Sequence, residues 1–232
     1  MVQRESFRRV GLLLGCLIPA CVGLAALWLQ VGAVGTPPPP IPSLTCQANN
    51  RVDDLLIHDG VIYFSGIFTS VRPPGAAPGS GEVMRTGLAA CNATTGAILS
   101  WGPLLTHTIP ANLVVETLAL APTEDRLYVG GRFTHLDGVA VKPLVAFTLT
   151  TLAATGWAPA WSTGNSSRVR DIAVSADGAI IYAGVNTGIK AWQTTNGASL
   201  PAFAPQIMSG TVQNTQVTAL ALSPDQQPIY FG

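Results

Sequence analysis

The chain has 232 residues, 12 basic and 12 acidic side chains and a formal net charge of zero, so no basic excess marks a nucleic-acid surface and no acidic excess marks a cation store. Charged residues make up only 10%, against roughly a quarter in ordinary soluble domains; the polar surface has to come from Thr, Ser, Asn and Gln, as in many exported β-proteins. With 48% hydrophobic residues there is enough apolar side chain to bury a core, which excludes intrinsic disorder.

Arg4, Arg8 and Arg9 precede an uncharged run from Val10 to Gly35, and the next charge is Arg51. About 20 apolar residues at ~1.5 Å each cross a bilayer core of roughly 30 Å, and arginines ahead of such a run hold the N-terminus in the cytoplasm. Residues 1–35 are therefore expected to form a signal peptide or signal-anchor helix, leaving the remainder extracytoplasmic, either membrane-anchored or secreted. Val31-Gly32-Ala33 has the small residues of a signal-peptidase site, whereas the run exceeds the roughly 7–15 residues of a signal-peptide core and favours an uncleaved anchor. Cys16 and Cys21 lie within it, but Pro19 spoils a lipobox at Cys21 and the apolar core before Cys16 is short. Residues 36–50 follow as a Pro-rich linker: Pro37 to Pro40 and Pro42 favour a polyproline II spacer extending about 3.1 Å per residue.

Residues 51–232 carry a tandem repeat, with units at about 51–113, 114–167, 168–215 and a truncated 216–232. Each unit opens on a short apolar strand: Val52-Asp53-Asp54-Leu55-Leu56-Ile57, Val115-Glu116-Thr117-Leu118-Ala119-Leu120, Val169-Arg170-Asp171-Ile172-Ala173-Val174 and Val217-Thr218-Ala219-Leu220-Ala221-Leu222. Turn chemistry comes next, at His58-Asp59-Gly60, Ala121-Pro122-Thr123-Glu124-Asp125, Ser175-Ala176-Asp177-Gly178 and Ser223-Pro224-Asp225-Gln226. A second strand carries Tyr63, Tyr128, Tyr182 or Tyr230, 11 residues after the leading Val in the first unit and 13 in the other three. This pattern predicts a repeated hairpin. Further along the unit Leu88–Asn92 matches Leu144–Thr148 and Ile189–Gln193, and an aromatic-x-Pro element closes the units at Trp101, Trp157 and Phe203. Four short strands per fifty-odd residues is the size of a β-propeller blade.

Tyr128-Val129-Gly130-Gly131-Arg132-Phe133-Thr134, Ser223-Pro224-Asp225 and Thr94-Thr95-Gly96 ahead of Trp101 resemble the bacterial delta-60 repeats of cell-surface and secreted proteins. The resemblance covers about residues 51–232, implies a β-propeller and carries no catalytic residues. The chain departs from the pattern where Gly184-Val185-Asn186-Thr187-Gly188 replaces the Gly-Gly-x-Phe-Thr element, and where residues 73–81 insert a loop. The fold expected is thus all-β: three and a half four-stranded blades, with an N-terminal helix. Since propellers close with about four to eight blades, the chain is expected to be a fragment of a longer protein or to close by oligomerisation with missing blades or other chains.

Reactive constellations are hard to find. His58 is expected in a turn and His135 in a loop; with His107 they show no metal-ligand spacing, and satisfied or solvent-facing roles fit them best. Asp53, Asp54, Glu116 and Asp171 fall near the starts of first strands, where they could ring a cation or, more simply, hydrogen-bond a strand entrance. The tyrosines could form a stacking ladder, but regular recurrence fits burial between units better. Cys46 and Cys91 could be bonded in an oxidising compartment or be two separate buried thiols. Asn92-Ala93-Thr94 and Asn165-Ser166-Ser167 match the glycosylation triplet. No catalytic, cofactor-binding or metal residue is assigned and no cofactor is expected. The function expected is a non-enzymatic cell-surface module that binds an unidentified protein or glycan, with no role for nucleic acid. The alternative is a quinoprotein-like oxidoreductase or hydrolase whose channel site draws on further blades.

Overall fold

Two units divide the chain, Met1–Pro40 and Ile41–Gly232, and a computed structural model describes residues 45–123, 125–164, 166–200, 203, 216–223 and 229–232. Among these no helix is long and apolar enough to cross a membrane; the apolar run at 10–35 and the Pro-rich stretch lie outside the described residues. The described part is all-β, with a single short 3-10 turn at Pro110–Asn112.

The first repeat unit contributes β1 (Gln47–Ala48), β2 (Val52–His58), β3 (Val61–Gly66), β4 (Ser70–Arg72), β5 (Val83–Met84) and β6 (Leu88–Asn92). After β7 (Leu105–Thr106), the second contributes β8 (Val114–Leu120), β9 (Arg126–Arg132), β10 (His135–Leu136), β11 (Val139–Ala140) and β12 (Leu144–Thr148). The third holds β13 (Val169–Val174), β14 (Ile180–Val185) and β15 (Gly188–Gln193), and the last described strands are β16 (Leu220–Leu222) and β17 (Ile229–Phe231). They pair as antiparallel meanders, β2-β3-β6, β8-β9-β12 and β13-β14-β15, with a two-stranded β16-β17.

Turn chemistry accounts for the uneven spacing within the hairpins. In the first, His58 faces Val61 across Asp59 and Gly60, whose φ values of 45° and 75° put both in the left-handed region that a two-residue hairpin turn requires. In the third, Ser175 N–H reaches Ile180 O and encloses 176–179, so the loop is two residues longer. The second closes the same way, from Ala121 N–H to Arg126 O.

A fourth strand is only vestigial. Each sheet ends in one bridge, Cys91 to Ile98, Phe147 to Ala154 and Trp192 to Ser199, held by equivalent hydrogen bonds such as Leu99 to Ala90, Thr155 to Ala146 and Leu200 to Ala191. In the first two units the segment soon runs into Pro103 or Pro159, where the missing N–H stops a ladder.

Side-chain alternation lets the second sheet give one face to the first sheet and the other to the third. Tyr63, Leu88 and Ala90 of the first sheet join Leu118, Leu127, Val129 and Phe147 of the second in one core cluster. Tyr128, Leu144 and Ala146, on the opposite face, join Ile172, Ile181, Ala183 and Trp192 of the third. Sheets come so close that a side chain on Gly130 would run into Val169 and Ile172. The first strands of the first three units, β2, β8 and β13, also carry a register shift, at Val52/Asp54, Val115/Thr117 and Val169/Asp171.

Units one and two send long excursions between their second and third strands. Phe68 and Phe133, both buried, root them, and their tips form two small sheets, β1-β4-β5 and β7-β10-β11. In unit three the departure from Gly-Gly-x-Phe-Thr has a simple consequence: Val185 faces Gly188 across the two-residue turn Asn186-Thr187, and there is no excursion. The cysteine question is also resolved, since Cys46 and Cys91 are disulfide-bonded with Cα atoms 6.5 Å apart, tying the segment ahead of β2 to β6.

Candidate functional site

The carboxylates at the strand entrances do not converge on a common point. Asp54 accepts N–H bonds from its own Leu55 (2.7 Å) and from Leu118 of the next sheet (2.7 Å). Asp171 does the same for Ile172 (2.8 Å) and Leu220 (2.6 Å), and also accepts the Thr117 hydroxyl. These aspartates act as clasps: β8 is the edge of its sheet, and an edge N–H that no strand pairs is taken by a neighbour's carboxylate. Burial pushes the Asp54 carboxyl above the usual aspartate value, partly offset by the amides it accepts. Asp53 pairs with Arg51 at 2.6 Å, and Glu116 takes a two-pronged bond from Arg168 of the next unit, which raises the arginine further. Among the described residues no group of three or more His, Cys, Asp or Glu could hold a metal ion, and the hydrogen-bonding reading of this cluster is the one the geometry supports.

The histidines fall in separate places. His58 ends β2, with Nε2 3.3 Å from Asp59. His107 is buried, and its Nδ1 accepts the Ile109 N–H. His135 belongs to the short strand β10 rather than to a loop, because the excursion pairs with β7 and β11; its Nδ1 is 2.9 Å from the Thr134 hydroxyl. Tyr63 and Tyr128 are 3% and 0% exposed and meet the closing Trp101 and Trp157 edge-on, so they are packing elements. Each indole also reaches the next unit: Trp101 donates to Leu152 O and Trp157 to Gln193 O. Tyr230 is 62% exposed among the described residues. Asn92 caps its own turn by accepting from Thr94 and Thr95 N–H; Asn165 lies outside the described residues.

A pocket of about 740 Å³, within the size range of small-molecule sites, opens between the second excursion and the segment leading to unit three. Leu136, Val141, Leu144, Ala146, Trp157 and Ala158 supply apolar wall, and His135, Asp137, Lys142 and Thr163 supply polar groups. Lys142 Nζ lies 3.5 Å from Thr163 Oγ1, and one Asp137 oxygen holds Leu104 N–H at 2.8 Å. No residue had been assigned here from sequence. The legible signal was a pair of exchanges between equivalent repeat positions. Arg85 N–H bonds to Thr69 O as Val141 N–H bonds to Thr134 O, so Val141 stands where unit one has Arg85. Ala158, one residue after Trp157, stands where unit one has Gly102, whose missing side chain makes room for the Arg85 stem.

No family model and no curated protein matches the chain. Among solved structures it is similar to the computationally designed Ika4 protein, at 13% identity over 83% of this chain and 98% of that one, with a TM-score of 0.48. It is also similar to the extracellular domain of a protein described as a one-component system of B. thetaiotaomicron, at 16% identity over 83% of this chain and 26% of that one, with a TM-score of 0.46.

Proposed function

We propose that the chain is an extracytoplasmic binding module built as a β-propeller of delta-60-like repeats, and that it holds its ligand in the pocket beside the second excursion. The observation that carries this reading is the division of labour between sheets and excursions. Three sheets repeat the same faces, bulges and closing bridges, whereas the excursions differ from unit to unit, and the pocket opens at such a difference. A constant scaffold with variable loops is the arrangement binding proteins use. Face-to-face succession of meander sheets supports the propeller, and each blade's outer strand is worn down to a bridge. The Cys46–Cys91 bond supports a location in an oxidising compartment, and the arginine-flanked apolar run supports export or anchoring by residues 1–35.

The test presents the full chain to glycan and protein arrays beside an Ala154→Trp variant. Ala154 is exposed and lines the pocket, so the indole obstructs the mouth without removing core packing. Array hits are expected for the parent chain and at least about tenfold weaker in the variant, with an unchanged melting temperature. Hits that survive the obstruction place the site elsewhere, and a parent chain that retains nothing overturns the binding reading.

A further inference from the structure

We infer that the pocket receives an extended peptide, which adds as a strand to the free edge of β11 and buries an aliphatic side chain against Val141, Ala146 and Ala158. The inference deepens the proposed binding function and rests on it.

Edge geometry supplies the first argument. β11 is the outer strand of β7-β10-β11. In the tight hairpin β10–β11, Leu136 faces Val139 and His135 faces Ala140. Thr134 O accepts Val141 N–H, so the alternation of an antiparallel pair turns the Ala140 N–H and C=O away from β10. Among the described residues the backbones of Ala140 and Lys142 make no hydrogen bond. Two residues apart along one edge, they offer the spacing at which an added strand makes its bonds. Val139 beside them is 67% exposed.

Unit one shows the same edge protected. There Arg85 donates to Met84 O at 2.8 Å, covering the counterpart of Ala140 O, and reaches across the gap to Leu99 O (2.8 Å) and Ser100 O (3.3 Å). An inward arginine that caps a sheet edge and fills the space beside it is a common way to block strand addition. In unit two Val141 replaces the arginine, the gap becomes an apolar pocket, and the edge is left uncapped.

The ligand chemistry follows from both features. Unpaired peptide groups along the rim call for a complementary row of N–H and C=O, which a peptide has and a glycan or lipid lacks. Side chains alternate across an added strand, so one aliphatic side chain enters the pocket while its neighbours face outward past Lys142, His135 and Asp137. With both signs on that rim, no strong charge preference is imposed.

The experiment measures fluorescence polarisation of labelled, end-capped pentapeptides that alternate Thr with Val or Leu, titrated with the full chain. Saturable binding is expected, weakened at least about tenfold by N-methylation of the central residue, which removes an edge hydrogen bond. A double variant, Val141→Arg with Ala158→Gly, rebuilds the unit-one plug and is expected to weaken binding by a similar factor at unchanged melting temperature. Absence of binding at millimolar peptide overturns the inference. So does equal affinity for the N-methylated peptide, an arm that uses the unaltered protein, or equal affinity in the folded plugged variant. If the peptides fail while array hits remain sensitive to Ala154→Trp, strand addition is wrong and the binding function stands.

Discussion

At the third turn of each unit one residue must adopt a left-handed backbone. Gly96, Leu152 and Gly197 occupy equivalent places, each donating its N–H four residues back, to Asn92, Thr148 and Gln193, with φ of 68°, 55° and 72°. At Gly197 a Cβ would also overlap the Ala158 carbonyl. Gly197→Ala is therefore expected to cost about 2 kcal/mol or more, the sum of left-handed strain and a backbone clash that little can relax, read as a lower urea midpoint with an unchanged slope. Leucine accepts the same conformation at 152 without that collision, its side chain packing at the edge of the first core cluster. Gly96 and Gly197 could be read as turn residues from sequence, because Thr-Thr-Gly and Thr-Asn-Gly are turn chemistry. Leu152 could not, since nothing local marks a leucine for positive φ and only alignment of the units does.

Among the strands, the bulged first one decides how neighbouring sheets join. Its carboxylate serves its own amide and the next sheet's, so Asp54 spends its charge in a half-buried place. Burial holds its pKa above 3.8, the ordinary value. The folded protein thus keeps this proton to higher pH than the unfolded chain, and the group's contribution to stability is fully present below the unfolded pKa and lost as pH rises through the folded one. In Asp54→Asn that dependence disappears. The difference in unfolding free energy, parent minus variant, is expected to decline as pH rises from below 3.8, as measured by urea titrations at a series of pH values. Glu82 and Asp177, held low by the hydroxyls of Ser70 and Ser175, act in the opposite sense but are common to both proteins and cancel. The repeated hairpin and its order along the chain were legible from period and turn chemistry. The bulge was not, because Val-Asp-Asp-Leu and Val-Glu-Thr-Leu read equally well as unbroken strand; the carboxylates were singled out, but their partners are main-chain amides of another unit, which no local pattern announces.

For the molecule as a whole, the disulfide is the covalent constraint on the first sheet. Cys46 and Cys91 are separated by 45 positions, a loop whose closure stabilises by roughly 3–4 kcal/mol in the chain-entropy account. Reduction, or replacement of both cysteines by serine, is expected to lower the unfolding free energy by about that much, seen as a drop in the urea midpoint with dithiothreitol. The tandem organisation was legible because each unit repeats its hairpin; the pocket was not, because it arises from what one unit lacks relative to another. Stacked units of this kind draw much of their stability from neighbour interfaces, and the two aspartate clasps give those interfaces a direction. Asp54 receives the amide of Leu118, and Asp171 that of Leu220, so in both the acceptor belongs to the earlier unit and the exposed edge to the later one. A chain made from its N-terminus therefore presents the first-strand edges of the second and fourth units to acceptors already in place, and those two junctions are templated in the order of synthesis.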